Sequence, residues 1–151
     1  MNITILYGTE TGNTEFLAED MADFLSAEHA ATAASMDSAA SESLSPDSRY
    51  LLFTSTYGDG ELPASAKAFY AKLSEAKPNL SGISYAVFGL GDKAYDETFG
   101  HGASAFDSLF DELGATRIAD RDVHDAAGRE TADVHAKRWI ETVLTKVREN
   151  S

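Results

Sequence analysis

The chain has 151 residues, no cysteine and a formal net charge of −13. That length fits one ordinary domain, and a single domain over residues 1–151 is expected. So acidic a surface repels nucleic acid and anionic membranes and attracts a partner with a basic face. The lack of cysteine excludes disulfides, thiol catalysis and cysteine-bound iron–sulfur clusters. The longest apolar runs, Ile3 to Tyr7, Tyr50 to Phe53 and Tyr85 to Leu90, fall far short of the roughly 20 residues of a membrane span. The opening Met1-Asn2-Ile3-Thr4 has neither the basic segment nor the apolar core of a signal peptide, so a cytoplasmic location is expected. His29, His101, His124 and His135 show no pair at metal-ligand spacing, and no metal site is expected.

Short apolar runs alternate with helical periods along the chain. Ile3 to Tyr7 reads as a strand, and residues 13–27 as a helix with Leu17, Met21, Phe24 and Leu25 on its buried face. His29 to Met36 reads as a short, alanine-rich edge strand, followed by a loop over Ser38 to Ser48. Tyr50 to Phe53 reads as a strand covered on both faces. Pro63 can open a helix whose stripe is Ala66, Phe69, Tyr70 and Leu73, closed by Lys77-Pro78-Asn79. Ile83 to Phe88 is a further buried strand. Ala103, Phe106, Phe110 and Leu113 mark a third helix, with Gly114 as its C-terminal cap. Thr116 to Ala119 reads as a short last strand, and Ala136, Ile140, Val143 and Val147 as the stripe of a last helix.

No hairpin signal interrupts this order, so the strands lie parallel with right-handed helical crossovers. The expected fold is α/β: a doubly wound sandwich with a five-stranded parallel sheet and helices on both faces. Ligands of such sheets sit beyond the carboxyl ends of the strands, where strand order reverses. Three loops follow strands there. Gly8-Thr9-Glu10-Thr11-Gly12-Asn13-Thr14 runs into a helix, and its free amides and hydroxyls suit a phosphate. It lacks the lysine of a nucleoside-triphosphate loop and the G-x-G-x-x-G of dinucleotide binders. Ser55-Thr56-Tyr57-Gly58-Asp59-Gly60 and Leu90-Gly91-Asp92 through Tyr95 to Phe99 each offer a tyrosine to a flat ring. Together the loops imply a flat, aromatic, phosphorylated ligand.

These motifs resemble the short-chain flavodoxin family from end to end of the chain. Thr9-Glu10-Thr11-Gly12-Asn13-Thr14 is similar to that family's FMN phosphate loop. Thr56-Tyr57-Gly58-Asp59-Gly60 and Gly89-Leu90-Gly91-Asp92-Lys93-Ala94-Tyr95 are similar to its two isoalloxazine loops. The versions here resemble the FMN domains of diflavin reductases, such as sulfite reductase flavoprotein and cytochrome P450 reductase. Leu62-Pro63, Phe69-Tyr70, Lys77-Pro78-Asn79-Leu80-Ser81 and Tyr95-Asp96 look still more like MioC-like flavodoxins. The resemblance implies a flavodoxin-like fold with strand order 2-1-3-4-5, FMN as cofactor, Tyr57 and Tyr95 flanking the flavin, and the Gly58 backbone at flavin N5. Thr9, Glu10, Thr11, Gly12, Asn13, Thr14, Ser55, Thr56, Tyr57, Gly58, Asp59, Gly60, Leu90, Gly91, Asp92, Tyr95 and Phe99 are the implied cofactor residues. Long-chain members carry an insertion in the last strand, for which Gly114 to the last helix leaves no room. A further acidic residue near the flavin could be Asp120, Asp122 or Asp125, and the sequence does not choose among them.

The expected role is one-electron transfer between basic-faced redox proteins, an NAD(P)H-dependent flavodoxin reductase and an electron-accepting enzyme, by a monomer. Asp59, Glu61, Asp92, Asp96 and Glu97 against Lys93 disfavour an anionic reduced flavin and so favour a low potential. No residue pattern suggests a nucleophile with a general base, so no catalytic residue is expected. The ends of the chain, at strand one and at Arg148-Glu149-Asn150-Ser151, favour a free-standing carrier over the FMN domain of a multidomain NADPH-dependent reductase. Response-regulator receivers share the strand order but need acids after strand one and an aspartate after strand three, where Tyr7-Gly8-Thr9 and Thr54-Ser55-Thr56 stand.

Overall fold

The structure, a computed structural model, describes residues 2–8, 13–38, 44–55, 62–91, 101–125 and 128–149. Strand β1 (Asn2–Gly8) leads to helix α1 (Asn13–Leu25), then β2 (Ala30–Ser35) and a single 3-10 turn at Met36–Ser38. Next come β3 (Ser48–Ser55), α2 (Ala64–Ala76), β4 (Ser84–Gly91) and α3 (His101–Glu112). The chain closes with β5 (Thr116–Arg117), β6 (Asp122–Asp125) and α4 (Ala132–Glu149). All described strand pairings are parallel. The order is β2-β1-β3-β4-β5, with β6 also on β4.

Alternation along the strands sends side chains to two cores. Ile3, Ile5, Leu51, Phe53, Ala86 and Phe88 pack under α1 and α4. Leu6, Tyr50, Leu52, Tyr85 and Val87 pack under α2 and α3. The central strands β1, β3 and β4 are buried on both faces, which is why each carries a continuous apolar run rather than an alternating one. At roughly 25 cal/mol per Å² of apolar surface, these two layers are the main stabilising term. Pro63 fixes the N-cap of α2, and Lys77, at φ 45°, ends it in a left-handed turn whose N–H donates to Leu73 O at 3.0 Å. Gly114, at φ 97°, closes the turn after α3, as the sequence suggests.

The last strand differs from the expectation of one run over Thr116 to Ala119. It is split: β5 pairs Thr116 and Arg117 with Ser84 and Tyr85, and β6 pairs Asp122 to Asp125 with Phe88 to Gly91. Asp122-Val123-His124-Asp125 has too little apolar character to read as a strand, but parallel pairing to β4 imposes one. The break between the two pieces is clamped. Asp107 of α3, 1% exposed, accepts from Tyr85 Oη at 2.7 Å and from Arg117 Nε at 2.9 Å on Oδ1. Its Oδ2 accepts from Arg121 Nη1 at 2.8 Å. Burial alone would raise the Asp107 carboxyl, but the Tyr85 and Arg121 bonds and the Arg117 charge hold it below its ordinary value. Trp139 Nε1 donates to Asp120 O at 3.1 Å from the other face. Phe24 is a second difference: it is half-exposed beside Lys137 Nζ, 5.6 Å from the ring centroid, instead of lying in the α1 core.

Candidate functional site at the carboxyl edge of the sheet

Parallel register lines up the strand ends. Gly8 of β1 pairs with Thr54 of β3, and Ser55 with Leu90 of β4. Leu90 pairs with His124 and Gly91 with Asp125 of β6. Strand order reverses between β1 and β3, so the crevice predicted for a ligand opens at this edge. Of the residues implied by the sequence, Asn13, Thr14, Ser55, Leu90 and Gly91 are described. Asn13 opens α1, Thr14 is buried behind it, Ser55 ends β3, and Leu90 and Gly91 end β4. Residues 9–12, 56–61 and 92–100, and with them Tyr57 and Tyr95, lie outside the described residues.

Close packing brings the helices to this edge. A Cβ on Gly8 would meet the Ala66 Cβ at 2.6 Å, and one on Gly89 would meet the Ala103 Cβ at 2.8 Å. Only glycine at these strand positions lets the first turns of α2 and α3 sit against the sheet. The phosphate-loop candidate therefore starts from an immovable point at Gly8. It is tied at both sides: Tyr7 Oη donates to Glu15 Oε1 at 2.8 Å, across residues 8–14. Burial first, and then the Glu15 bond, pushes the Tyr7 phenol up to about 12, so it remains a donor.

Two observations fit a polar, phosphorylated ligand. The Oγ of Ser55 is buried without a hydrogen-bond partner among the described residues, a condition that costs stability until something satisfies it. The first turn of α1 lies at the same edge, and the first amides of a helix have no partner within the helix itself. Of the three candidate acids, Asp125 is level with Gly91 at the ligand edge. Asp122 is turned into a network instead: its Oδ2 lies 2.9 Å from His135 Nε2, and His135 Nδ1 lies 3.0 Å from His124 Nδ1. Asp120 precedes β6. The His124–His135 contact was not legible in a scatter of histidines, because eleven positions of sequence hide a strand-to-helix contact. Among the described residues, no group of three or more potential ligands could hold a metal ion.

A flavodoxin family model matches residues 5–139. The chain belongs to the flavodoxin family. Across its full length it is 35% identical to the sulfite reductase (NADPH) flavoprotein alpha-component of Mannheimia succiniciproducens, covering 25% of that protein. It is also 35% identical over 85% of its length to the bifunctional cytochrome P450/NADPH–P450 reductase of Bacillus cereus, covering 12% of it. The chain thus spans about a quarter of the sulfite reductase relative and less of the other. Among solved structures it is similar to a cysteine-to-serine mutant of flavodoxin from Pseudomonas aeruginosa, with TM-score 0.85, 29% identity, and 98% and 99% of the two chains covered. It is similar as well to oxidised flavodoxin 2 from Bacillus cereus, with TM-score 0.80, 29% identity, and 99% of each chain covered.

Flavodoxins bind FMN, and FMN is the cofactor of this chain. The described residues fit it: a buried hydroxyl at Ser55 without a partner among the described residues, a helix start at Asn13 and a glycine-limited strand end at Gly8 lie at one edge of the sheet. The family and fold assign an electron-transfer role, supplied by the redox chemistry of the flavin when bound.

Proposed function

We propose that this flavodoxin shuttles single electrons between an NAD(P)H-dependent reductase and an electron-accepting enzyme, with no substrate chemistry of its own. The register that gathers Gly8, Ser55, Leu90 and Gly91 on one edge carries this reading. In it Thr9, Thr11, Asn13 and Thr14 hold the FMN phosphate, and Ser55 and Thr56 help close that site. Tyr57 and Tyr95 cover the two ring faces, with Gly58, Asp59, Gly60, Leu90, Gly91, Asp92 and Phe99 lining the rest. Glu10 and Gly12 shape the phosphate turn. The protein side of the reaction is orientation, exclusion of water and a negative field around the exposed ring edge.

Asp59, Glu61, Asp92, Asp96 and Glu97 surround that edge by sequence, against a net charge of −13 overall. A small, transient interface with a basic partner follows. Charge complementarity acts mainly on the association rate, and salt screens it over about 8 Å at physiological ionic strength. A cytoplasmic, monomeric carrier is the form proposed. The second reading, an FMN domain of a multidomain NADPH-dependent diflavin reductase, is favoured by the 25% coverage of the sulfite reductase relative. Stopped-flow reduction of the FMN-loaded chain by a separate flavodoxin reductase tests the first reading. The expected second-order rate falls with salt and falls again in Glu61→Gln and Asp96→Asn, with FMN affinity nearly unchanged. A rate indifferent to both removes electrostatic docking.

A further inference from the structure

Tyr7 is the penultimate residue of β1, and Glu15 is the third residue of α1. The third helical position is the one from which a glutamate reaches back to the amide just before a helix, in a capping box. A carboxylate in the first turn is drawn to the amides there, which have no partner within the helix, by their partial positive charge. A phosphate is drawn to the same amides. Glu15 and the FMN phosphate are therefore rivals for one set of donors, and neither lysine nor arginine stands in Thr9 to Thr14 to temper the repulsion between them.

The 2.8 Å bond from the Tyr7 hydroxyl draws Glu15 toward the sheet. The ring that donates it is 8% exposed and packed into the α1–α4 core with Leu17, Ala18 and Met21, so the hydroxyl cannot follow the carboxylate outward. We propose that Tyr7 is a positioning residue: it keeps Glu15 off the first-turn amides of α1 and so reserves them for the FMN phosphate. This role rests on reading residues 9–14 as the phosphate cradle.

The test is a double-mutant cycle on the apoprotein, with FMN and riboflavin as parallel probes followed by quenching of flavin fluorescence. Tyr7→Phe keeps the ring and removes only the donor. It is expected to weaken FMN about tenfold, the scale of one hydrogen bond to a charged group, and riboflavin by less than about twofold. Glu15→Ala alone is expected to change FMN binding by less than about threefold, whereas added to Tyr7→Phe it removes the rival and brings FMN binding back to within about threefold of wild type, a coupling that independent sites do not show. Unchanged FMN affinity in Tyr7→Phe overturns the proposal. Equal losses for FMN and riboflavin, or no recovery in the double variant, also overturn it and leave Tyr7 a packing residue. A wild-type protein that binds both flavins equally overturns the cradle itself, and that outcome is visible before any variant is made.

Discussion

Among the described residues of this flavodoxin, two tyrosine hydroxyls donate to carboxylates, and the surroundings of the two pairs differ. Tyr85 meets Asp107 at 2.7 Å, deep under α3, where Arg117 and Arg121 complete the neutralisation. Tyr7 meets Glu15 at 2.8 Å at the rim of the ligand crevice, and no described cation pairs with that carboxylate. A buried carboxylate without compensating charge is costly, so the first pair needs its arginines to exist at all. The second can rely on a neutral donor because Glu15 is only half-buried. Charge fixed for stability is cancelled, while charge beside a ligand is steered and left negative.

The largest effect should come from Asp107→Ala. It removes the carboxylate acceptor of two partly exposed guanidinium groups and one of the two acceptors of the Tyr85 hydroxyl, which keeps the Asp107 backbone oxygen at 3.0 Å, and should cost about 3 kcal/mol in urea unfolding. FMN affinity measured on the folded fraction should hold, because the clamp lies on the split strand and not on the loops. A matching loss of FMN affinity would erase the contrast between the pairs. Tyr7→Phe should show the mirror image, with an unfolding cost of about 1 kcal/mol and the loss appearing in FMN binding.

Gly8→Ala comes next and touches both regions. Its Cβ would stand 2.6 Å from that of Ala66, so about 2 kcal/mol of stability and some FMN affinity should go together. Ala66→Gly added to it should recover more affinity than stability, since glycine in a helix itself costs about 1 kcal/mol. Affinity that stays low in the pair would mean that α2 does not set the start of the cradle.

A smaller, pH-dependent effect is expected at His124. Burial and the neighbouring His135 lower its pKa, with Glu130, Asp125 and Asp122 pulling the other way. A base depressed in the folded state leaves the unfolded chain binding more protons, so stability is complete above the unfolded value of about 6.5 and declines as pH falls below it. Two protonated imidazoles would also set N–H against N–H across the 3.0 Å contact. Unfolding midpoints between pH 7.5 and 5 should drop more steeply in wild type than in His124→Asn; parallel curves would remove the histidine from the account. The exposed Glu130–Arg138 pair marks the bottom of the scale, and Glu130→Gln should leave the unfolding midpoint unmoved.

The strands and helices were legible because their burial is one-dimensional: runs such as Tyr50 to Phe53 and stripes such as Ala136, Ile140, Val143 and Val147 announce their own partners. The β6 strand was not, since Asp122-Val123-His124-Asp125 acquires its form from β4 and its polar groups from α4. Phe24 failed for a related reason: helical spacing puts it at the border of the apolar stripe, and only the position of Lys137 on α4 decides how it is covered. Within the site, the glycine-rich loops were visible as motifs, but Tyr7 read only as a strand residue. An aromatic hydroxyl ending one strand, with a glutamate at the third position of the next helix, is the signal that would have paired them. Asp107 gave no comparable signal, because its partners come from three separate elements or turns.

The central claim is that the turn from β1 to α1 is a phosphate cradle serving FMN. Titration of the apoprotein with FMN, riboflavin and FAD addresses it without any partner protein. FMN should bind one per chain and far more tightly than riboflavin, and FAD should bind poorly because nothing in the sequence offers an adenine site. Equal affinity for FMN and riboflavin would contradict the account.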